Sequence, residues 1–260
     1  MNLPAASRAA PMLLLTATVT PLRGLPSLAR TDASMRLDDY RRALNAYMLL
    51  LNEGVLSGIV FAENSNADIS CLKADVAAAG LESTVEFLSF NGLDFDPAKG
   101  RGYGEFRMVD YAVEHSNILQ RNTSSMVWKC TGRYIIRNLQ AILTSTAHAD
   151  IVCHCRNYPV DWCELYLLAW SRRGHDAVLK DCYRRLANDL NPNMHTTEEI
   201  LFRQLIDEAP DGVAVTRRLS RLPRVDGVRG WNNKQFDSGW NSPKNLVRRT
   251  CIRLLPFVWI

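Results

Sequence analysis

Residues 127–138 read VWKCTGRYIIRN, and this stretch decides how the first half of the chain is assembled. Val127-Trp128-Lys129-Cys130 reads as a buried strand running into Thr131-Gly132-Arg133-Tyr134, and "IIRNLQAIL" beyond it opens either a helix or a further strand. A fixed positive charge beside a glycine at a strand's carboxyl end is an unusual way to build a plain turn. Upstream, the apolar, β-branched "MLLLTATVT" is a strand closed by Pro21. "SMRLDDYRRALNAYMLLLNEG" sets Leu37, Tyr40, Leu44, Tyr47 and Leu51 at helical spacing, with Gly54 to stop it. "LSGIVFAENS" and "TVEFLSFNG" read as strands, and "DISCLKADVAAAG" and "GEFRMVDYAVEHSNIL" as helices, the last with Phe106, Val109 and Val113 on one stripe. With 127–130 as its fourth strand, this β-α-β-α-β-α-β order argues for a largely parallel sheet with right-handed crossovers, whose ligand sits beyond the strands' carboxyl ends.

The second half is less regular. "ADIVCHC" reads as a strand, and "DWCELYLLAWSRRG", "HDAVLKDCYRRLAND" and "TTEEILFRQLIDEA" read as helices, the last capped by Thr196 or Thr197. The 260 residues suit one large domain with an appendage: a flexible N-terminal tail at 1–11, a catalytic domain at 12–216 and a basic C-terminal extension at 217–260. From Arg217 onward ten basic residues face only Asp226 and Asp237. The ending "KNLVRRTCIRLLPFVWI" mixes cations with large apolar residues, as an interfacial anchor or a core-packed helix with a basic face would. No aromatic-basic sheet motif or reading helix points to nucleic acid. No apolar run approaches the ~20 residues a membrane span needs. "PMLLLTATV" fits a first strand better than a secretion signal.

Seven cysteines without framework spacing fit a reducing cytoplasm. Cys153, His154, Cys155 and Cys163 invite a zinc reading, but alternation points His154 away from its two neighbours. Zinc ligands usually pair at wider gaps. Ordinary strand cysteines are the reading adopted, with no metal expected. His148, His154 and His175 show no partner pattern.

Polar clusters collect at the strand ends. They are Thr18-Val19-Thr20-Pro21, then "ENSNAD" from Glu63 to Asp68, then "DFDPAKGRGYGE" and "TGRY". In "KGRGYGE", Gly100, Gly102 and Gly104 would let backbone approach an anion, Lys99 and Arg101 add charge, and a helix begins near Glu105. It is neither a dinucleotide fingerprint nor a P-loop. Glu63 and Asp68 offer acceptors to a ribose or base edge; alternatively Asn66 or Asp68 simply caps the next helix. Together these groups suit a nucleotide carrying phosphates.

In order, "LLLTATVTP", "IVFAENSNAD", "KGRGYGE" and "MVWKCTGRY" resemble the nucleotide-binding half of GT-A glycosyltransferases. More narrowly, with "TDASMRLDDY", "TEEILF" and "RVDGVRGWNNK", the chain resembles bacterial transferases of capsule, lipopolysaccharide or other surface glycans over roughly residues 12–235. The resemblance implies a GT-A-like (Rossmann-like) α/β fold, a mainly parallel sheet flanked by helices with a helical, basic C-terminal extension. It implies a nucleotide-sugar donor and a glycan or lipid-linked glycan acceptor. Donor contacts would come from Thr18, Pro21, Arg36, Glu63, Asn64, Ser65, Asp68, Lys99, Gly100, Gly102, Gly104, Glu105, Lys129, Thr131, Gly132 and Tyr134.

One departure matters most. Thr131-Gly132-Arg133 stands where those enzymes carry a metal-binding D-x-D, so Arg133 is expected to stabilise the leaving diphosphate without a divalent cation or other cofactor. The alternative is an ion pair from Arg133 to a core carboxylate such as Asp150. The base for the acceptor hydroxyl is expected from Glu198 or Glu199, Glu198 preferred, with Asp150 and Asp161 behind them. Glutamates in a helix's first turn are also favoured by the macrodipole alone. The setting expected is the cytoplasm, with the basic tail near an anionic membrane surface at its inner face. The rival readings are a non-catalytic basic adaptor and another nucleotide-using transferase such as a nucleotidyltransferase.

Overall fold

The computed structural model describes residues 9–25, 28–147, 149–157, 160–187, 197–236, 247–248 and 250. Strand β1 (Met12–Ala17) leads through helix α1 (Ala33–Asn52) to β2 (Gly58–Glu63), and α2 (Ser70–Ala78) leads to β3 (Val85–Ser89). A 3-10 turn at Pro97–Lys99 runs directly into α3 (Gly100–His115), and the short α4 (Asn117–Arg121) precedes β4 (Val127–Thr131). These four strands are mutually parallel in the order 3-2-1-4. "IIRNLQAIL" supplies both of its readings, the two-residue β5 (Ile135–Ile136) and then α5 (Leu139–Ser145).

β6 (Ile151–Arg156) and β7 (Trp162–Trp170) extend the sheet, β7 running antiparallel between β4 and β6. After a helical turn α6 (Arg172–Gly174) and helix α7 (Thr197–Asp207), β8 (Val215–Thr216) adds an edge parallel to β6. β9 (Val225–Asp226) pairs with β5 in a separate two-stranded sheet. The main sheet has seven strands in the order β3-β2-β1-β4-β7-β6-β8, mostly parallel and flanked by helices.

Alternation along β1 divides the core between the sheet's two faces. Leu13, Leu15 and Ala17 pack with Tyr40, Leu44 and Tyr47 of α1. Met12 and Leu14 pack on the other face with Phe106 and Val109 of α3 and Phe202 of α7. Each of these large side chains contributes about 1.5–3 kcal/mol when fully buried. Tyr47 also ties the turn after β4, since its hydroxyl donates to Tyr134 O at 2.8 Å and accepts from the Ile136 amide at 2.9 Å.

Two expected helices are corrected. "DWCELYLLAWSRRG" is strand β7 for most of its length, because it lies inside the sheet with Leu167, Leu168, Ala169 and Trp170 all buried. A continuous apolar run of that kind carries no period to separate strand from helix. "HDAVLKDCYRRLAND" is a π-turn at His175–Leu179 and a 3-10 turn at Cys182–Arg185. Asp181 between them adopts left-handed φ 58°, and its amide donates to Asp110, so a continuous helix is broken there.

Residues 217–236, grouped by charge with the extension, are built into the domain. Leu219, Leu222 and Val225 are buried there and β9 pairs with β5. The Thr196 cap, His148 and most of the closing "KNLVRRTCIRLLPFVWI" lie outside the described residues. Among the described residues no helix is long and apolar enough to cross a membrane.

Candidate active site

The strand order reverses between β1 and β4, the place where open α/β sheets form a crevice beyond their carboxyl ends. Thr16 and Thr131 are register partners at that point, and both hydroxyls donate to Glu105 of α3, at 2.7 and 3.1 Å. The Gly132 amide donates to Thr16 O at 2.8 Å, and a Cβ at 132 would stand 2.9 Å from that oxygen. The glycine in TGRY is therefore demanded by backbone contact with β1.

A cavity of about 450 Å³ opens here. Its walls carry Arg36, Arg101, Arg133, Arg156, Arg229 and Arg248 against Glu105, Glu164, Glu198 and Glu199. Several of these charges are already matched. Arg101 pairs with Glu198 at 2.9 Å, and Arg156 pairs with Glu164 across β6 and β7. Arg36 donates to the carbonyls of Thr18 and Arg30 and to the Tyr40 hydroxyl, which fixes the chain leaving β1.

Arg133 is different. It is 7% exposed, and its guanidinium is held by neutral groups, donating to Val228 O at 2.7 Å and to the Tyr134 hydroxyl at 3.0 Å. It lies 4.7 Å from the Tyr134 ring centroid, and a Cβ at Gly230 would stand 2.5 Å from one guanidinium nitrogen. The alternative ion pair to Asp150 is not made. Asp150 instead accepts from the Ser171 hydroxyl and the Ala214 amide and lies 3.7 Å from Arg173.

Lys129 corrects a donor-site expectation. Its ammonium is fully buried on the α3 face of β4, 2.5 Å from Glu105 and donating to Leu165 O at 2.7 Å. It is not among the residues lining the cavity, and its charge is already matched by Glu105 behind the wall. Burial pushes the Glu105 carboxyl up, but the Lys129 ammonium and the hydrogen bonds from Lys129, Thr16 and Thr131 outweigh it and hold the group below its ordinary value.

The glycine-rich loop serves packing, with Gly104 alone of its three glycines lining the cavity. Gly100 takes φ +83° where the 3-10 turn passes into α3, and Gly102 and Gly104 lie within the helix's first two turns. A Cβ at 102 would stand 2.7 Å from Glu198 Cβ, and one at 104 would stand 2.8 Å from the Phe95 ring. These glycines let α7 and the Phe95 loop pack against α3. The Glu198 carboxylate accepts from the Gly102 amide at 3.2 Å, so a resident anion occupies the helix N-terminus. Lys99 lies over the Tyr103 ring, 4.7 Å from its centroid, outside the cavity lining.

"ENSNAD" divides in the same way. Glu63 is fully buried and accepts from the amides of Val19, Ser65 and Ala67 and from the Ser65 hydroxyl, organising the loop instead of meeting a ribose. The Ser65 hydroxyl accepts from the Thr20 amide, and Asp68 accepts from the Ser70 amide at the entrance of α2, its capping alternative. Asn64 does reach the cavity, accepting from the Thr18 hydroxyl at 2.7 Å, and Thr18, Pro21, Thr131 and Tyr134 line it as well.

Of the two candidate bases, Glu198 is clamped by Arg101 and the Gly102 amide, while Glu199 is not. One Glu199 carboxylate oxygen is buried without a hydrogen-bond partner. Burial pushes its pKa up to about 8, and the neighbouring Glu198 charge adds to the rise. Glu198, the expected better base, is the one of the two already engaged. Asp161 lies on the surface, 3.6 Å from Arg203, and neither it nor Asp150 lines the cavity. His175 bridges Asp110 and Asp176. Burial, then the charges of Arg156, Arg218 and Arg248, lowers the His154 pKa to about 3, so it is neutral.

The lining residues missed by reading the sequence include Arg156, Trp162, Glu164, Arg229 and Arg248. Arg156 ends β6, while Trp162 and Glu164 depend on β7 being a strand, where alternation sets Trp162, Glu164 and Tyr166 on the cavity side. That alternation in "WCELY" was the available signal.

No protein-family model matches the chain, and no curated protein sequence does. Among solved structures it is similar to a candidate nucleotide-diphospho-sugar transferase from Desulfovibrio desulfuricans G20. That match is 12% identical, covers 94% of this chain and 97% of that one, and has a TM-score of 0.44. It is also similar to the inositol-1-phosphate CTP transferase from T. maritima, 10% identical over 95% of this chain and 97% of that one, with a TM-score of 0.42. Likenesses this remote carry no assignment.

Proposed function

We propose that the protein transfers a sugar from a nucleotide-sugar donor to a glycan acceptor, with Arg133 doing electrostatically what a bound cation does elsewhere. The observation that carries this is the state of Arg133. A buried cation held, among the described residues, by neutral acceptors has a desolvation cost that a bound anion would offset. Its position past the end of β4 suits the diphosphate of a donor. There a preorganised guanidinium stabilises negative charge as the bond between sugar and diphosphate breaks.

Glu199 takes the acceptor's hydroxyl proton in this scheme. The freed oxygen forms the new bond to the anomeric carbon, and the nucleoside diphosphate leaves with the electron pair of the broken C–O bond. Thr18 and Asn64, a hydroxyl and an amide on the cavity wall, are placed to hydrogen-bond the nucleoside. The donor set at the end of β4 argues for metal-independent transfer. Among the described residues the carboxylate at that point is Glu105, which Lys129 neutralises, and Glu198 and Glu164 on the cavity wall are paired with Arg101 and Arg156. Capsule or lipopolysaccharide glycans as acceptors, a cytoplasmic setting and contact of the basic tail with anionic lipid are the parts of this proposal that rest on sequence resemblance and charge.

Thermal shift with nucleoside mono- and diphosphates, with Mn²⁺ or with EDTA, tests the reading. Stabilisation by a nucleoside diphosphate that survives EDTA is expected. No stabilisation by any nucleotide removes the transferase, and stabilisation that vanishes with EDTA removes the metal-free mechanism. Stabilisation by a nucleoside triphosphate, with pyrophosphate released from it in the presence of a sugar phosphate, transfers the site to nucleotidyl transfer.

A further inference from the structure

Behind the cavity wall, the Sγ atoms of Cys153, Cys155 and Cys163 lie within 4.8 Å of one another, all three residues buried. Cys153 and Cys155 are two apart on β6 and share a face, their sulfurs 3.6 Å apart. Cys155 and Cys163 are register partners across β6 and β7. The Cys155 amide donates away from β7, to Arg217 O at 2.8 Å, which makes this a pair without mutual backbone hydrogen bonds, the kind that brings side chains closest. The register shifts between Val152 and His154, so the strand is irregular at Cys153 itself, and such bulges re-aim side chains.

We infer that these three thiols form a binding site for a soft, monovalent d10 metal ion such as Cu(I). A metal–sulfur bond of about 2.3 Å places three sulfurs about 4.0 Å apart in a trigonal plane, close to the spacing already present. Among the described residues no other cysteine, histidine or carboxylate belongs to the cluster, and His154 projects from the opposite face toward the Leu219 amide. A three-sulfur donor set suits Cu(I), whereas structural zinc takes four ligands. Binding would release three protons as the thiols become thiolates, leaving a complex of charge −2. Arg203 and Arg217 are the cations that act on Cys155 and Cys153, and Asp207 bridges them. The ion would pin β6 to β7 directly beneath Arg156, Trp162 and Glu164, and so fix one wall of the cavity. This site differs from the diphosphate site and does not depend on the transferase reading.

The test is anaerobic titration of the full, reduced chain with Cu(I) held by the chromophoric chelator bicinchoninate. The chain is expected to withdraw one Cu(I) and to gain ultraviolet thiolate-to-copper absorption. Cys155→Ser should lose both signals, while Cys182→Ser, a buried cysteine outside the cluster, should keep them. Should Cys155→Ser fail to fold, alkylation of the wild-type chain in mild denaturant supplies the second measurement. Bound Cu(I) should protect Cys153, Cys155 and Cys163 and leave Cys71 reactive. Failure of the wild-type chain to compete with the chelator, uptake equal in both variants, or protection no greater than at Cys71 would each overturn the site. Uptake of Zn(II) with no uptake of Cu(I) overturns the assignment to a monovalent ion.

Discussion

Lys129 Nζ lies 2.5 Å from Glu105, buried where the sheet passes from its parallel to its antiparallel half. This pair explains why a strand that is otherwise apolar carries a lysine. It joins β4 to α3, while Thr16 and Thr131 complete the carboxylate's hydrogen bonds from the ends of β1 and β4.

Glu105→Gln should therefore destabilise the fold by about 3–5 kcal/mol, because it leaves an ammonium buried without its partner. Urea unfolding of single and double variants checks this. Glu105→Gln combined with Lys129→Met should recover much of the loss. The pH dependence follows from the sign of the shift. Glu105 has a depressed folded pKa, so its contribution is present above its ordinary value of 4.5 and is lost as pH falls through the folded value. The wild-type chain should lose stability on acidification more steeply than the double variant.

Arg133→Ala should lower turnover by about 100-fold or more and abolish stabilisation by a nucleoside diphosphate, while Tm falls by only a few degrees. Arg133→Lys should not restore activity, since an ammonium cannot reach Val228 O, the Tyr134 hydroxyl and a phosphate with one planar fork. Equal loss of folding and turnover would return Arg133 to a purely structural role.

Glu199→Gln should abolish transfer yet stabilise the protein above neutral pH. The folded carboxyl binds its proton up to about pH 8, far above its ordinary value of 4.5, so wild-type stability declines as pH rises between those values. Removing the ionisable group should add about 1–3 kcal/mol at pH 8–9 and flatten that decline. In the wild type, the rate should rise through pH 8 as the base deprotonates. Tm and rate measured against pH for both proteins decide this; a flat wild-type rate from pH 6 to 9 assigns the base elsewhere.

Gly102→Ala should cost about 1–3 kcal/mol, because its methyl would stand 2.7 Å from Glu198 Cβ in a packed helix–helix contact. Paired with Glu198→Ala, a double-mutant cycle should show strong coupling. Nucleotide affinity of the folded single variant should be nearly unchanged. A large loss of affinity without coupling would restore the loop to phosphate binding.

Much of the architecture was legible along the chain. The four parallel strands and their helices announce themselves because each strand is a short apolar run and each helix carries a 3.6-residue stripe, as Tyr40, Leu44, Tyr47 and Leu51 do on α1. β7 was not legible. Its second half, Leu167 to Trp170, is covered on both faces and apolar throughout, so apart from the short alternation in its first half only its neighbours β4 and β6 distinguish it from a helix.

The site divides along the same line. Sequence by itself determined that TGRY ends the fourth strand and that Thr18, Asn64 and Arg133 gather at one edge, since parallel strands bring their carboxyl ends together. Only the tertiary structure decided which charges are available there. Lys99, Lys129, Glu63 and Glu198 are as charged in the sequence as Arg133 and Glu199, but they are held by Tyr103, Glu105, backbone amides and Arg101. Whether a charge is neutralised depends on what folds to within about 4 Å of it, because the Coulomb energy falls with distance and rises as water is excluded. Such partners, 36 residues away for Leu165 on Lys129 and 97 for Glu198 on Arg101, leave no periodic trace in the chain.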